Sequence, residues 1–279
     1  MAAMEIESPA NPRIRAAAAL RERRERDRSG LTLVDGLRES IRALEAGVAT
    51  ELGLVCPTLL DGDADGEGHA EGAERVRTLL RERGTEIVDV SERAFSRVAF
   101  GDRNDGIVLV VRAPTTDLAA IRFLEAGHPL VVVTEDIEKP GNLGAILRSA
   151  DGAGADAVVA VGGTDLFNPN VIRASTGTVF SVPIAAASAA AVLHWLREHG
   201  LRIVAAKVDA ARLHTEADLT GPLALVLGNE ASGLSDAWNA PDVESLRLPM
   251  LGVADSLNVS VAGAVLLYEA RRQRDGQRR

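Results

Sequence analysis

Three short segments in the second half of the chain place polar side chains directly after apolar runs. PGNLGAILRSA contains Asn142 and, six positions later, Arg148. LGNEASGL contains Glu230, and LPMLGVADSLNVSVAGA contains Ser256 and Asn258. An arginine, a carboxylate, two amides and a hydroxyl could orient a polar substrate and stabilise negative charge that develops on one of its oxygens.

Each of these residues also has an ordinary structural role to fill. Asn142 lies where a helix is predicted to start and could cap it, and Ser256 could cap the last predicted helix. Glu230 could equally cap the turn at 232–238. A spacing of six puts Asn142 and Arg148 about 120° apart around an ideal helix. Both side chains can therefore line the same cleft only if they lie at its edge or if a loop brings one of them in. Taken alone, Arg148 is typical of a surface arginine.

The residue patterns exclude several common cofactor sites. Glycines at 141 and 144 have the wrong spacing for a dinucleotide fingerprint, and those at 152 and 154 come at the end of a predicted helix and not before one. No Walker motif is present. Cys56 is the only cysteine, which excludes an internal disulfide and a cysteine-based metal cluster, so we expect no metal. No apolar run is long enough to span a bilayer, and the first residues lack the apolar region of a secretory signal.

The predicted strands and helices alternate, which indicates an α/β architecture. We predict a small α/β domain over 1–113, a linker over 114–128 and a second α/β domain over 129–279. In the second domain we expect, among others, a helix over 142–153, a strand near 179–184 and a closing helix over 256–273. The three polar segments each follow a predicted strand, and ligands of open α/β sheets bind at the carboxyl ends of strands.

The charge of the chain is unevenly distributed. The net charge is −9, yet segment 13–28 carries seven arginines against three acidic residues. Arginines in such a run could contact RNA phosphate or could form a solvated helix face. Aromatic residues make up only 3% of the chain, so an aromatic platform that stacks bases is not expected.

In this order, the segments resemble the motifs of the SpoU (TrmH-like) family of RNA ribose 2′-O-methyltransferases. The stretch NPNVIRASTGTVFSVPI resembles the connecting signature of that family, with Arg173, Ser175, Gly177 and Phe180 in place. The first domain is similar to the L30e-like RNA-binding domain that many members carry. It departs from the family in having Leu33 and Asp35 where Phe and Glu are common.

The resemblance implies a fold, a cofactor and a set of site residues. The second domain would be a trefoil-knotted SPOUT domain that binds S-adenosylmethionine through backbone groups. It implies catalytic roles for Asn142, Arg148, Glu230, Ser256 and Asn258. It implies cofactor contacts at Leu227, Gly228, Asn229, Leu248, Met250 and Leu257. Candidate RNA-binding residues are Arg13, Arg15, Arg23, Arg24 and Arg173.

The implied activity is 2′-O-methylation of a ribose in RNA by a cytoplasmic homodimer. The two-domain arrangement favours 23S ribosomal RNA, with a tRNA ribose methyltransferase or a noncatalytic L30e-like RNA-binding protein as alternatives. Family analogy has Arg148 activate the ribose hydroxyl. Removing a proton from an arginine at neutral pH costs about 9 kcal/mol, so we prefer a role in stabilising the developing alkoxide. Deprotonation by Arg148 after RNA binds is the alternative.

Overall fold

The computed structural model describes residues 5–62, 68–100, 105–123, 127–230 and 232–277. The chain divides into two compact units. One unit comprises Met1–Pro114 together with Phe167–Ser181, and the other comprises Thr115–Leu166 together with Val182–Arg279. The acidic, glycine-rich segment 61–74 lies partly outside the described residues, and a helix begins at His69.

The first unit contains a four-stranded mixed sheet. Its strands are β1 (Leu31–Asp35), β2 (Thr50–Val55), β3 (Glu86–Asp89) and β4 (Ile107–Arg112). Helices in this part of the chain are α1 (Pro12–Ala19), α2 (Arg23–Ser29), α3 (Leu37–Glu45), α4 (Pro57–Leu60), α5 (His69–Glu82) and α6 (Glu92–Phe95). The strand order is β1-β4-β2-β3; β4 is antiparallel to both of its neighbours, and β2 is parallel to β3.

The arginine-rich segment near the N-terminus forms two helices, because a buried guanidinium stabilises the break between α1 and α2. The side chain of Arg26, only 6% exposed, donates hydrogen bonds to the carbonyl oxygens of Leu20 at 2.8 Å and Arg21 at 2.7 Å. These carbonyls follow the last turn of α1 and would otherwise lack a partner. Arg26 therefore has a structural role.

The second unit is built on a six-stranded parallel sheet. Its strands are β5 (Leu130–Glu135), β6 (Ala157–Val161), β7 (Ile184–Ala187), β8 (Arg202–Ala206), β9 (Leu223–Leu227) and β10 (Val243–Leu246). The remaining helices of the chain are α7 (Pro140–Ala153), α8 (Pro169–Ala174), α9 (Ala189–Glu198) and α10 (Val259–Gln277). All residues of β5, β6 and β9 are buried, as expected for central strands of a parallel sheet that is covered on both faces.

The order of these strands creates a crevice beside β5. The order is β10-β8-β9-β5-β6-β7, so the chain moves from β5 outward to β6 and β7 and later returns to place β9 on the other side of β5. Connections leave β5 and β9 in opposite directions. The carboxyl ends of two such strands form the usual ligand site of an open α/β sheet.

Two predicted elements differ from the structure. The strand predicted near 179–184 is wrong: Thr178–Phe180 forms a short 3-10 helix, and β7 covers Ile184–Ala187. Pro183 has no N–H with which to extend the ladder, so β7 begins after it. The closing helix begins at Val259 and not at Ser256. In the described part of the chain, no helix is both long and apolar enough to cross a membrane.

Segment Phe167–Ser181, which contains α8, belongs to the first unit although it lies in the second half of the sequence. The Thr32 hydroxyl donates to the carbonyl oxygen of Phe167 at 2.7 Å. The Arg42 side chain donates to the carbonyl oxygen of Thr176 at 2.6 Å. The sequence pattern did not indicate this arrangement, because long-range contacts define it.

Candidate active site

An open pocket lies at the carboxyl ends of β5 and β9. Three stretches converge on it: the loop after β5 with the first turn of α7, the loop after β9, and the start of α10. The pocket is lined by Ile137, Glu138, Lys139, Asn142, Asn229, Glu230 and Val259. It therefore occupies the crevice that the strand order creates.

A carboxylate and two amides form a hydrogen-bonded cluster in this pocket. Oε1 of Glu230 accepts hydrogen bonds from Nδ2 of Asn142 at 2.8 Å and from Nδ2 of Asn258 at 2.6 Å. Nδ2 of Asn258 also lies 3.1 Å from Oδ1 of Asn142. We call Asn142, Glu230 and Asn258 the carboxylate–amide cluster. It unites one residue from each of the three sequence motifs.

Neighbouring groups keep Glu230 ionised. Nζ of Lys139 lies 2.8 Å from Oε2 of Glu230. This hydrogen bond lowers the pKa of the Glu230 carboxyl, with smaller contributions from the charge of Lys139, the backbone N–H of Val259 and the side chain of Asn142. The same pairing raises the pKa of Lys139. An ionised carboxylate only accepts hydrogen bonds, so it holds the NH2 groups of both amides toward itself.

The loop after β9 is restrained by its neighbours. Nδ2 of Asn229 donates to the carbonyl oxygen of Asp136 at 2.8 Å, and its backbone pairs with that of Gly233. Glu135, at 4% exposure, accepts from the Ser235 backbone at 2.7 Å and from its hydroxyl at 2.8 Å. These contacts join the loop to the end of β5. Glu135 was not among the predicted site residues, because an acidic residue at the end of an apolar strand carries no local signal of its hydrogen-bond partner.

Gly228 is required by its own loop. A Cβ at this position would lie 2.6 Å from the backbone carbon and oxygen of Gly233 and 2.8 Å from Cγ of Leu234. Side chains do not tolerate such distances to backbone atoms, so any larger residue must displace the loop. Gly228, which the family resemblance implies as a cofactor contact, is thus also needed for the shape of its loop.

The predicted capping roles of Asn142 and Ser256 are wrong. Asn142 lies within the first turn of α7, whose N-cap is Lys139. Asn258 directly precedes α10, and its Oδ1 accepts from the Ser260 backbone at 3.0 Å and hydroxyl at 2.6 Å. Ser256 is exposed three residues before the helix, outside the carboxylate–amide cluster. Asn258 thus caps α10 with its oxygen and bonds Glu230 with its nitrogen.

Arg148 lies apart from the carboxylate–amide cluster. It is exposed on α7, and within the described ranges its side chain has no hydrogen bond or ion pair. The position of Arg148 away from the cluster agrees with the separation of about 120° from Asn142 that an ideal helix predicts. Its guanidinium is therefore available to an anionic group from outside this chain.

The loop between β10 and α10 offers polar backbone groups to a ligand. Residues 248–257 take part in no backbone–backbone hydrogen bond within the described part of the chain. Leu251 and Val253 are fully exposed, and Leu257 is 40% exposed. Backbone N–H and C=O groups beside apolar side chains fit a nucleoside ligand that has an adenine ring and polar substituents. Among the described residues, no group of three or more His, Cys, Asp or Glu side chains could hold a metal ion.

Comparison with known proteins identifies the family. Residues 129–268 match the model of the SpoU rRNA methylase family, and residues 11–109 match that of an MRM3-like substrate-binding domain. The chain belongs to the SpoU rRNA methylase family. It is an RNA methyltransferase that uses S-adenosylmethionine to methylate a ribose 2′-oxygen, as the sequence motifs predicted.

Relatives match along almost the whole chain. A 23S rRNA (uridine(2479)-2′-O)-methyltransferase of Streptomyces viridochromogenes is 34% identical over 92% of this chain and 88% of that protein. The crystal structure of an RNA 2′-O ribose methyltransferase shares 42% identity and a TM-score of 0.81, covering 97% of this chain and 99% of the other. An AdoMet-bound rRNA methyltransferase from Sinorhizobium meliloti shares 30% identity and a TM-score of 0.84, covering 96% and 97%.

The candidate RNA-binding arginines of this SpoU methylase fall into two groups. Arg13 forms an ion pair with Glu86, and Arg23 lies 3.6 Å from Asp27. Arg15 and Arg24 are both exposed, and neither has a partner within the residues described. The second pair is therefore better placed to contact phosphate.

Arg173 pairs with a buried acidic residue of the first unit. Its Nη1 lies 3.3 Å from Oδ2 of Asp35, which is 5% exposed and also accepts from the Phe100 backbone at 2.8 Å. Burial raises the pKa of Asp35 to about 6, although the Phe100 N–H and Arg173 oppose the shift and Asp105 and Glu39 add to it. Arg173 is 26% exposed, so it stabilises this carboxylate while only part of its side chain faces solvent.

Proposed function

We propose that the RNA substrate of this SpoU methylase is 23S ribosomal RNA, in the cytoplasm. Two observations support this substrate. Relatives that match more than nine tenths of the chain are named 23S rRNA methyltransferases, and the first domain matches a substrate-binding domain model. The proposed division of labour is that residues 1–113 dock the RNA, 114–128 form a linker and 129–279 carry the chemistry.

The carboxylate–amide cluster carries the proposed mechanism. Its three residues come from three separate motifs and are hydrogen-bonded to one another at the carboxyl ends of β5 and β9: Asn142, Glu230 and Asn258. In the proposal, Glu230 positions the two amides, which orient the ribose of the target nucleotide through hydrogen bonds. Ser256 lies two residues from Asn258 on the same exposed loop and would line the ribose site after RNA binds.

Cofactor binding is assigned to the loops on either side of this cluster. Backbone groups at Leu227, Gly228, Asn229, Leu248, Met250 and Leu257 would hold S-adenosylmethionine. The bound cofactor supplies a methyl group that its sulfonium already activates. Within the described part of the chain, the backbone of 248–257 makes no hydrogen bond to another backbone group, which supports this assignment. The trefoil knot that the family resemblance implies for this segment stays a prediction.

Arg148 is proposed to act on the ribose hydroxyl through its charge. In the proposal, the ribose 2′-oxygen attacks the methyl group and gives up its proton to water, and the guanidinium stabilises the negative charge that develops on this oxygen. The exposure of Arg148 and its lack of a partner in the described ranges leave it able to take this role. The guanidinium of Arg148 could also bind an RNA phosphate.

The proposed active form is a homodimer joined through α10. Val261, Val265 and Tyr268 follow one another at helical spacing, and their exposed fractions are 48%, 39% and 54%. The opposite face, with Val259, Leu266 and Leu267, is buried in the core of the second unit. An exposed apolar stripe on a helix whose other face is already packed fits a second copy of the same chain.

Nucleotide-resolution mapping of ribose methylation tests the substrate. RNA from cells with and without the gene is compared, and the purified protein is added back to RNA from the deletion strain. We expect one 2′-O-methyl group in 23S rRNA to disappear and to be restored by the protein. Loss of a tRNA methyl group instead would overturn the proposed substrate, and no change in any RNA would overturn the activity in the cell.

A further inference from the structure

We infer that Arg21 and Arg97 of the first unit form a binding site for an RNA phosphate, with Phe100 as its rigid base. This inference rests on the proposed function, since it names where the docking domain contacts the RNA backbone. Arg21 lies in the arginine-rich segment 13–28, but neither arginine is among the five candidate RNA-binding residues named from the sequence.

The position of Arg21 is fixed by two contacts. Its guanidinium carbon lies 4.4 Å from the centre of the Phe100 ring, and its Nη2 donates to the carbonyl oxygen of Ala99. Phe100 is itself held by the hydrogen bond of its backbone N–H to the buried Asp35. A guanidinium stacked on a fixed ring keeps its remaining N–H groups directed outward, and it loses little conformational freedom when an anion binds.

Arg97 supplies the second positive group. It precedes Ala99 and Phe100 by two and three residues, so it lies on the same short segment on which Arg21 rests. Its side chain is exposed and has no hydrogen bond or ion pair within the described part of the first unit. Desolvation and then the charge of Arg97 lower the pKa of Arg21, while Asp35 opposes this effect. The two guanidiniums therefore repel each other.

The repulsion between these residues explains why an anion fits. Several exposed arginines of the first unit have an acidic partner, as Arg75 has in Glu45 at 3.0 Å. Arg21 and Arg97 have no carboxylate at hydrogen-bond distance within the described residues, although the chain carries a net charge of −9. A phosphate between two guanidiniums accepts hydrogen bonds from both and removes their mutual repulsion. An RNA backbone offers such a phosphate, and the adjacent ring can contact a ribose or base.

RNA binding by Arg97→Gln across a salt series tests the site, with Arg75→Gln as the matched control. The probe is a transcript of a 23S rRNA domain, alongside a duplex RNA of unrelated sequence. Loss of one phosphate contact lowers the slope of log affinity against log salt by about 0.7 to 0.9. We expect that decrease, and a roughly tenfold weaker affinity at low salt, for Arg97→Gln with both RNAs and not for Arg75→Gln.

Arg21→Gln provides a second variant, with S-adenosylmethionine affinity as the measure of intact folding. We expect weakened RNA binding with unchanged cofactor affinity. If Arg97→Gln has the same affinity and salt slope as Arg75→Gln, the site is refuted. Binding of the unrelated duplex measures phosphate contacts and does not depend on which RNA is the substrate. A wrong 23S rRNA assignment would instead be detected by the mapping of ribose methylation, so the two failures can be distinguished.

Discussion

Asn142 and Glu230 lie 88 positions apart in the sequence, yet Nδ2 of the first donates a 2.8 Å hydrogen bond to Oε1 of the second. This contact joins the start of α7 to the loop after β9. It exists because β5 and β9 are neighbours whose carboxyl ends align, with Thr134 opposite Leu227. The parallel sheet thus brings two motifs of the SpoU methylase into one pocket.

Replacing Glu230 should impair catalysis more than cofactor binding. In Glu230→Ala, Asn142 and Asn258 lose their common acceptor, and methyl transfer should fall by about 100-fold, the cost of a small misplacement at a reacting centre. Methyl transfer under single turnover measures this effect, and calorimetry measures cofactor affinity. Lys139→Met is the comparison, because Lys139 is 73% exposed and its loss should reduce the rate only a few-fold. Equal losses in both variants would contradict a positioning role for Glu230.

Arg148→Ala should reduce methyl transfer by about 100- to 1,000-fold, as loss of a group that stabilises an oxyanion does. Because the side chain is exposed and has no hydrogen bond or ion pair within the described residues, the melting temperature and cofactor affinity should stay close to those of the wild type. Arg148→Lys retains the charge but not the planar group, and it should recover part of the rate. Near-normal turnover of Arg148→Ala would remove this residue from the mechanism.

Gly228→Ala should weaken cofactor binding through the loop and not through direct contact. The added Cβ would lie 2.6 Å from the Gly233 backbone, so the loop that carries Glu230 must shift. Gly163→Ala is a matched control, because Gly163 follows β6, on the other side of β5, and a Cβ there meets nothing within 4 Å. Isothermal titration with S-adenosylmethionine should show an affinity loss of at least tenfold for Gly228→Ala alone, equivalent to about 1.4 kcal/mol. Unchanged affinity would place the cofactor elsewhere.

Stability of the first unit should depend on the ionisation of Asp35. Its pKa in the folded protein, about 6, lies above the reference value of 3.8, so the folded state binds more protons between these values. The resulting stabilisation is complete below about pH 4 and is lost as the pH rises through 6. A shift of this size corresponds to about 3 kcal/mol.

Urea unfolding at several pH values measures this effect. The free energy of unfolding of the wild type, relative to Asp35→Asn, should fall by up to about 3 kcal/mol between pH 4 and pH 7. Arg173→Gln removes a group that lowers the Asp35 pKa, so the decline should extend to higher pH. A constant difference between wild type and Asp35→Asn over this range would refute the raised pKa.

Val265→Asp should convert the proposed homodimer into a monomer. A carboxylate in the middle of the exposed stripe of α10 would be buried without a partner by a second copy. Light scattering coupled to size-exclusion chromatography measures the mass. The control is Val208→Asp, at an exposed residue outside α10, which should leave the dimer intact. A wild-type monomer at micromolar concentration would exclude the dimer, and a dimer of Val265→Asp would move the interface elsewhere.

The local residue patterns predicted much of the second unit. Apolar runs such as LVVVTE and LALVL are typical of buried parallel strands, and both form central strands of the sheet. The motif order predicted the family, the reaction and the cofactor. The predicted ends of helices and strands were less accurate where a single residue determines them. Strand β7 begins only after Pro183, and α10 begins directly after its cap Asn258.

Sequence by itself therefore determined the family, the chemistry and the residue types of the site, because these are carried by short local motifs. Only the tertiary structure decided which side chains meet. It bonded Asn142, Glu230 and Asn258 to one another, left Arg148 exposed, and folded Phe167–Ser181 with the first unit. The physical reason is that hydrogen bonds and ion pairs depend on distances between strands and helices that are remote in sequence, which no local pattern of residues records.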